Sequence, residues 1–99
     1  MIATVLEARV APARHPDLVE EYRARTADLP AGMVVTYLLH DVADPDLWRI
    51  VTFWSSREAL EAMRSSMATP GGVLIFRAAG AEPELRVFDV AHHAQAAGQ

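Results

Sequence analysis

The sequence predicts an α+β domain of the ferredoxin-like type, a four-stranded antiparallel sheet with its helices on one face. Three observations lead there. The elements run strand, helix, strand, strand, helix, strand, the order of a split βαβ pair. Two of the strand segments alternate cleanly between apolar and polar positions, as half-buried strands do. The chain has 99 residues and is 52% hydrophobic, which fits one domain holding more apolar surface than so small a core hides.

The first strand is Met1–Val10, with Ile2, Thr4, Leu6, Ala8 and Val10 on one face and Val5, Glu7 and Arg9 on the other. Ala11–Asp17 breaks it. Pro16 followed by Asp17 suits the first turn of a helix, where a missing N–H costs nothing and a negative charge meets the dipole. Leu18, Tyr22, Arg25 or Thr26, and Leu29 then recur at helical spacing, so the helix is expected to end near Leu29, before Pro30-Ala31-Gly32. Met33–Leu39, rich in β-branched residues, is the second strand, and Asp41–Asp46 with its Asp44-Pro45 step is a turn.

Leu47–Trp54 is the third strand, with Trp48, Ile50, Thr52 and Trp54 on one face and Arg49, Val51 and Phe53 on the other. Ser55 and Glu58 read as a capping box for a second helix whose apolar stripe is Ala59, Leu60, Met63 and Met67. Thr69-Pro70-Gly71-Gly72 stops it. With Thr69 as cap and Pro70 in the first position, Val73–Phe76 reads as part of a short third helix running to about Ala79. Glu84–Val90 is the last strand. The domain therefore covers residues 1–90, and 91–99 form a tail with no folding pattern.

Composition removes whole classes of chemistry. There is no cysteine, which excludes disulfides, thiolate metal sites and a cysteine nucleophile. All nine basic residues are arginines, so Schiff-base and P-loop chemistry lack their lysine. A net charge of −4 with scattered arginines argues against a nucleic-acid partner. No apolar run reaches the ~20 residues that span a membrane, and the opening segment has no basic leader, so a cytoplasmic protein is expected. His92-His93 without a third ligand does not make a metal site. The sheet face with Val5, Val51 and Phe53 beside Arg9 and Arg49 is too apolar for water, which predicts a homodimer packed sheet to sheet. Arg9 and Arg49 are expected to pair with Glu7 or Asp89 there.

Pro30-Ala31-Gly32-Met33, Asp44-Pro45 and above all Phe53–Met63, with its Trp-Ser-x-x-Glu-Ala-Leu segment, resemble the antibiotic biosynthesis monooxygenase family of dimeric α+β barrels over roughly residues 2–90. The resemblance implies oxygenation of an aromatic, polyketide-like phenol without metal, flavin or other cofactor. It also implies a slot between sheet and helices, lined here by Trp54, Trp48, Thr52, Leu6, Tyr22, Leu60, Met63 and Met67. Two positions depart from the family pattern. Ile50 stands where quinone-forming members carry an amide, and Met63 where many members carry a histidine. Haem-degrading relatives use a histidine ligand, and neither helix two nor the segment after it supplies one.

His40, ending strand two, is the best-placed imidazole for a general base, because imidazole titrates near neutrality. Trp54 is the candidate ring-positioning residue, although aromatic burial alone would also explain it. Tyr22 and Tyr37 are candidate donors to a substrate oxygen. His15 is expected in the strand-to-helix turn, and Arg64 and Arg77 are candidate mouth residues for an acidic or phenolic ligand. Two other functions fit the same pattern: a non-catalytic module binding a hydrophobic or aromatic small molecule, and an isomerase or lactone-rearranging enzyme.

Overall fold

Period-two alternation gives the sheet two unlike faces, and the helices choose one of them. The computed structural model describes residues 1–67 and 69–97. Its elements are β1 (Ile2–Arg9), a 3-10 turn (Pro12–Arg14), α1 (His15–Arg25), β2 (Met33–His40), β3 (Leu47–Trp54), α2 (Arg57–Ser66), α3 (Gly71–Ala78) and β4 (Glu84–Asp89). The strands form one antiparallel sheet in the order β2-β3-β1-β4. The ferredoxin-like α+β architecture is the expected one.

Ile2, Thr4, Leu6 and Ala8 of β1 stand opposite Trp54, Thr52, Ile50 and Trp48 of β3. All eight are buried beneath the helices. They divide into two apolar clusters. Leu18 of α1 and Ile75 and Phe76 of α3 pack on Leu6, Ala8, Val10, Trp48 and Ile50. Leu60 of α2 packs on Ile2 and Trp54, with Met33 and Met63 alongside. Each large side chain so buried contributes about 1.5–3 kcal/mol relative to exposure. Gly72 lets α3 approach the sheet, since a Cβ there would lie 2.4 Å from Leu6 Cδ1.

Several element ends differ from expectation. Thr26 stops α1 early: its N–H and its hydroxyl both bond the Tyr22 carbonyl, at 3.0 and 2.7 Å, and Leu29 lies outside the helix. The cap of α2 is Ser56 rather than Ser55, because the Ser56 hydroxyl accepts the Ala59 N–H at 3.1 Å. The cap of α3 is Pro70 and not Thr69, and Gly71 and Gly72 open that helix instead of ending α2. β4 ends at Asp89, one residue short. The tail has neither helix nor strand over 91–97, and residues 98–99 lie outside the described ones, as does residue 68 between α2 and α3.

On the open face Val5, Val51 and Phe53 are half-buried, while Tyr37 and Phe88 are 50% and 47% exposed. Arg49 donates to Glu7 at 2.6 Å, as expected. Arg9 pairs with Asp44 of the β2–β3 hairpin, at 2.7 Å, instead of Glu7 or Asp89. In that hairpin Asp41 accepts the Ala43 and Asp44 N–H groups, at 2.8 and 2.9 Å. These bonds, with Arg49 beside them, hold its carboxyl below its usual range.

Candidate functional site

The two apolar clusters do not meet, and between them, under the helices, lies a cavity of about 510 Å³. Ligand sites commonly measure ~300–1,000 Å³. Its floor is one rung of the sheet. Thr36 of β2 stands opposite Thr52 of β3, and Thr52 stands opposite Thr4 of β1, so three hydroxyls lie abreast. Leu6, Ile50 and Trp54 flank that rung, and Leu60 and Met63 of α2, with Val73 and Ile75 of α3, complete the apolar wall.

A β-bulge makes the row possible. The β2–β3 register slips between Met33 and Val35, which puts Met33 on the same side as Thr36 and Leu38 and turns Val34 out, 52% exposed. The hydroxyls are then linked. Tyr22 of α1 donates to Thr36 at 3.3 Å, and Thr36 and Thr52 are 3.0 Å apart. At the other end the Trp54 indole N–H donates to Thr4 at 3.1 Å. Trp54 is 2% exposed, so this bond satisfies a donor with no access to water.

Among the described residues, charge enters the lining only at Arg25, Asp28 and Arg64. Arg25 is tied to Glu21 at 2.6 Å and Arg64 more loosely to Glu61 at 3.5 Å. Among the described residues no group of three histidine, cysteine or carboxylate side chains is placed to hold a metal.

Of the residues singled out in the sequence, Tyr22, Thr52, Trp54, Leu60, Met63 and Met67 line this cavity, as do Leu6 and Arg64. Four candidates stand elsewhere: Tyr37, His40, Trp48 and Arg77. Tyr37 lies opposite Val51 on the open face of the sheet, because it is out of phase with Thr36. His40 and Trp48 face each other across β2 and β3 at the far end of the helix side. There the His40 ring stacks on the Trp48 ring at 3.9 Å, and His15 meets both edge-on at 5.5 and 5.1 Å. His40 Nε2 lies 2.6 Å from the Pro45 carbonyl oxygen and His15 Nε2 lies 2.8 Å from that of Val10, so both nitrogens act as donors. The Trp48 indole nitrogen is buried with no partner among the described residues. Arg77 makes a two-bond contact with Glu82, at 2.8 and 2.9 Å, away from the cavity.

Sequence reasoning missed Thr4, Thr36, Arg25 and Asp28. The first was legible: Thr4 shares its strand face with Leu6, and a threonine among apolar residues on a buried face is a polar group that needs a partner. Thr36 was hidden by the bulge.

Comparison with curated proteins finds no match. Solved structures share the fold. A Deinococcus radiodurans protein, proposed as an antibiotic biosynthesis monooxygenase, is similar at 12% identity and a TM-score of 0.72, over 99% of this chain and 100% of its own. SnoaB, a cofactor-independent oxygenase from Streptomyces nogalater, is 22% identical with a TM-score of 0.62, over 99% and 97% of the two chains. MhuD, a haem degrader from Mycobacterium tuberculosis that holds two haems in its active site, is 20% identical with a TM-score of 0.69, over 96% and 100%. The sequence itself matches the family model across residues 1–95, and the chain therefore belongs to the antibiotic biosynthesis monooxygenase family.

Proposed function

We propose that the protein is a cofactor-independent monooxygenase of flat phenolic ring systems, working as a homodimer. The observation that carries this reading is the cavity itself, an apolar chamber with a hydroxyl floor and an indole at its edge, in a chain of this family. The ring system lies against Trp54, Leu60 and Met63. Its oxygen-bearing edge meets the threonine row.

The chemistry asks little of the protein beyond binding and charge. Taking anthrone as the type substrate, a proton leaves the ring carbon opposite the ketone and the resulting anion is electron-rich. Dioxygen bonds to that carbon and the peroxide takes up a proton; loss of the carbon's second hydrogen as a proton then breaks the O–O bond, so that one oxygen stays as a second ketone and the other leaves as water. Arg25 and Arg64 favour the anion over the neutral substrate, and Asp28 is the carboxylate in the lining that can take the proton. His40, stacked on Trp48, is outside the cavity and is not assigned this role.

Oxygen uptake by the purified protein with anthrone tests the proposal. The expected result is uptake above the spontaneous rate, one dioxygen per anthrone converted, with kcat falling at least about tenfold in Asp28→Asn. Uptake at the spontaneous rate would refute it. A second reading, a binding module without turnover, is favoured by the absence of any histidine from the cavity lining among the described residues. Native mass spectrometry that finds a retained aromatic ligand with no oxygen consumption would support that reading. Conversion without oxygen would indicate an isomerase.

A further inference from the structure

The hydroxyl row has a direction, and the direction leaves two protons unspent. A threonine hydroxyl has one proton to give and two lone pairs to receive. Thr36 receives the Tyr22 proton, and in the pair of Thr36 and Thr52, 3.0 Å apart, either hydroxyl can be the donor; we take the order in which Thr36 gives its proton to Thr52. That order aligns the dipoles along the chain, which strengthens each bond. Thr52 is then an acceptor with its own proton unused. Thr4, likewise, accepts from the Trp54 indole, which is a donor only.

In that order neither hydroxyl has an acceptor for its proton among the described residues, although Thr4 and Thr52 are only 9% and 6% exposed. The two are directly opposed on adjacent antiparallel strands, on the cavity side, and both line the cavity. Opposed residues of this kind hold their Cβ atoms ~4.5–5.5 Å apart, so a single oxygen atom can accept from both hydroxyls at once.

We infer that Thr4 and Thr52 form a two-donor clamp for one ketone or phenolate oxygen of a flat apolar ligand, set in direction by Tyr22 and Trp54. The inference rests on the cavity being the ligand site and deepens it by naming the group recognised. A hydrocarbon of the same shape gains the apolar wall and leaves both protons buried and unpaired. The selectivity is therefore for an acceptor oxygen, not for aromatic area alone.

Xanthone and xanthene test this, because they share one tricyclic frame and differ by a ketone in place of a methylene, and neither needs to react. Isothermal titration of each into the purified protein is expected to show xanthone binding about tenfold tighter or more. Thr52→Val is expected to reduce that preference severalfold, by weakening xanthone binding and by relieving the unpaired hydroxyl that xanthene leaves, and Thr52→Ser to retain it. Thr4→Ser, which keeps the acceptor for Trp54, is expected to behave like the wild type. Equal affinity of the wild type for the two compounds, binding of neither, or a preference that survives Thr52→Val would each overturn the clamp. Oxygen uptake with anthrone is scored separately: a ketone preference without uptake removes the oxygenase reading alone, and uptake without a ketone preference removes the clamp alone.

Discussion

Three threonines abreast give the sheet hydroxyls at the one rung that lies between its two apolar clusters. Larger apolar residues at these positions would close the gap, and the cavity exists because the chain does not place them there. Single residues elsewhere keep the surrounding frame in place. Gly32 has φ +88°, and a Cβ on it would come within 2.5 Å of the Ala59 Cβ on α2, while its carbonyl accepts the Ser55 N–H at 2.8 Å. Gly32→Ala is therefore expected to cost about 2 kcal/mol, from backbone strain and forced displacement of α2. Gly71 has open space around its Cβ position, and Gly71→Ala is expected to change stability by less than about 0.5 kcal/mol. Urea unfolding of both variants makes the comparison. At this scale the sequence revealed which residues are buried more readily than which are neighbours. Trp54, Leu60 and Met63 were legible as an apolar wall, whereas Trp48, equally aromatic and equally in phase, stacks with His40 six residues away along the strand.

Element boundaries turned on local hydrogen bonds that compete with periodicity. The apolar spacing of α1 runs on to Leu29, but the Thr26 hydroxyl takes the Tyr22 carbonyl and the helix ends at Arg25. At α2 two serines in succession offered themselves as cap, and the Ser-x-x-Glu pattern favoured the first. The structure uses the second, whose backbone is extended (φ −158°, ψ 165°) and whose hydroxyl reaches the Ala59 N–H. Ser56→Ala is expected to lower stability by about 1 kcal/mol, and Ser55→Ala by less than about 0.5 kcal/mol, in thermal unfolding followed by circular dichroism. Equal losses would contradict the assignment. The bulge in β2 had no signature in composition, and it is what aligns Thr36 with Thr52 while Met33 faces the core of α2.

A compact monomer of this mass exposes about 5,500 Å² by the usual surface scaling. This chain exposes 6350 Å². The exposed tail over 91–97 and the open sheet face carry the surplus, and a standard interface removes about 800 Å² from each partner. The homodimer is proposed on the apolar face with Val5, Val51 and Phe53, where such an interface would lie. Val51 lies between Val5 and Tyr37 on this face, so Val51→Glu, a charge at its centre, is expected to give a monomer by sedimentation where the wild type gives a dimer. A wild-type monomer at micromolar concentration would remove the proposed assembly. The overall architecture was the most legible feature of the sequence, because alternation and element order both act over many residues and local exceptions average out. The site was less legible, since it depends on which strands sit side by side and in what register. Every role assigned to the site depends on a ring system binding in one cavity. A crystal structure with bound xanthone tests that most directly: the account predicts the rings against Trp54 and Leu60, with the ketone oxygen within hydrogen-bond distance of Thr4 and Thr52. Xanthone seated on the open sheet face, or beside His40 and Trp48, would contradict it.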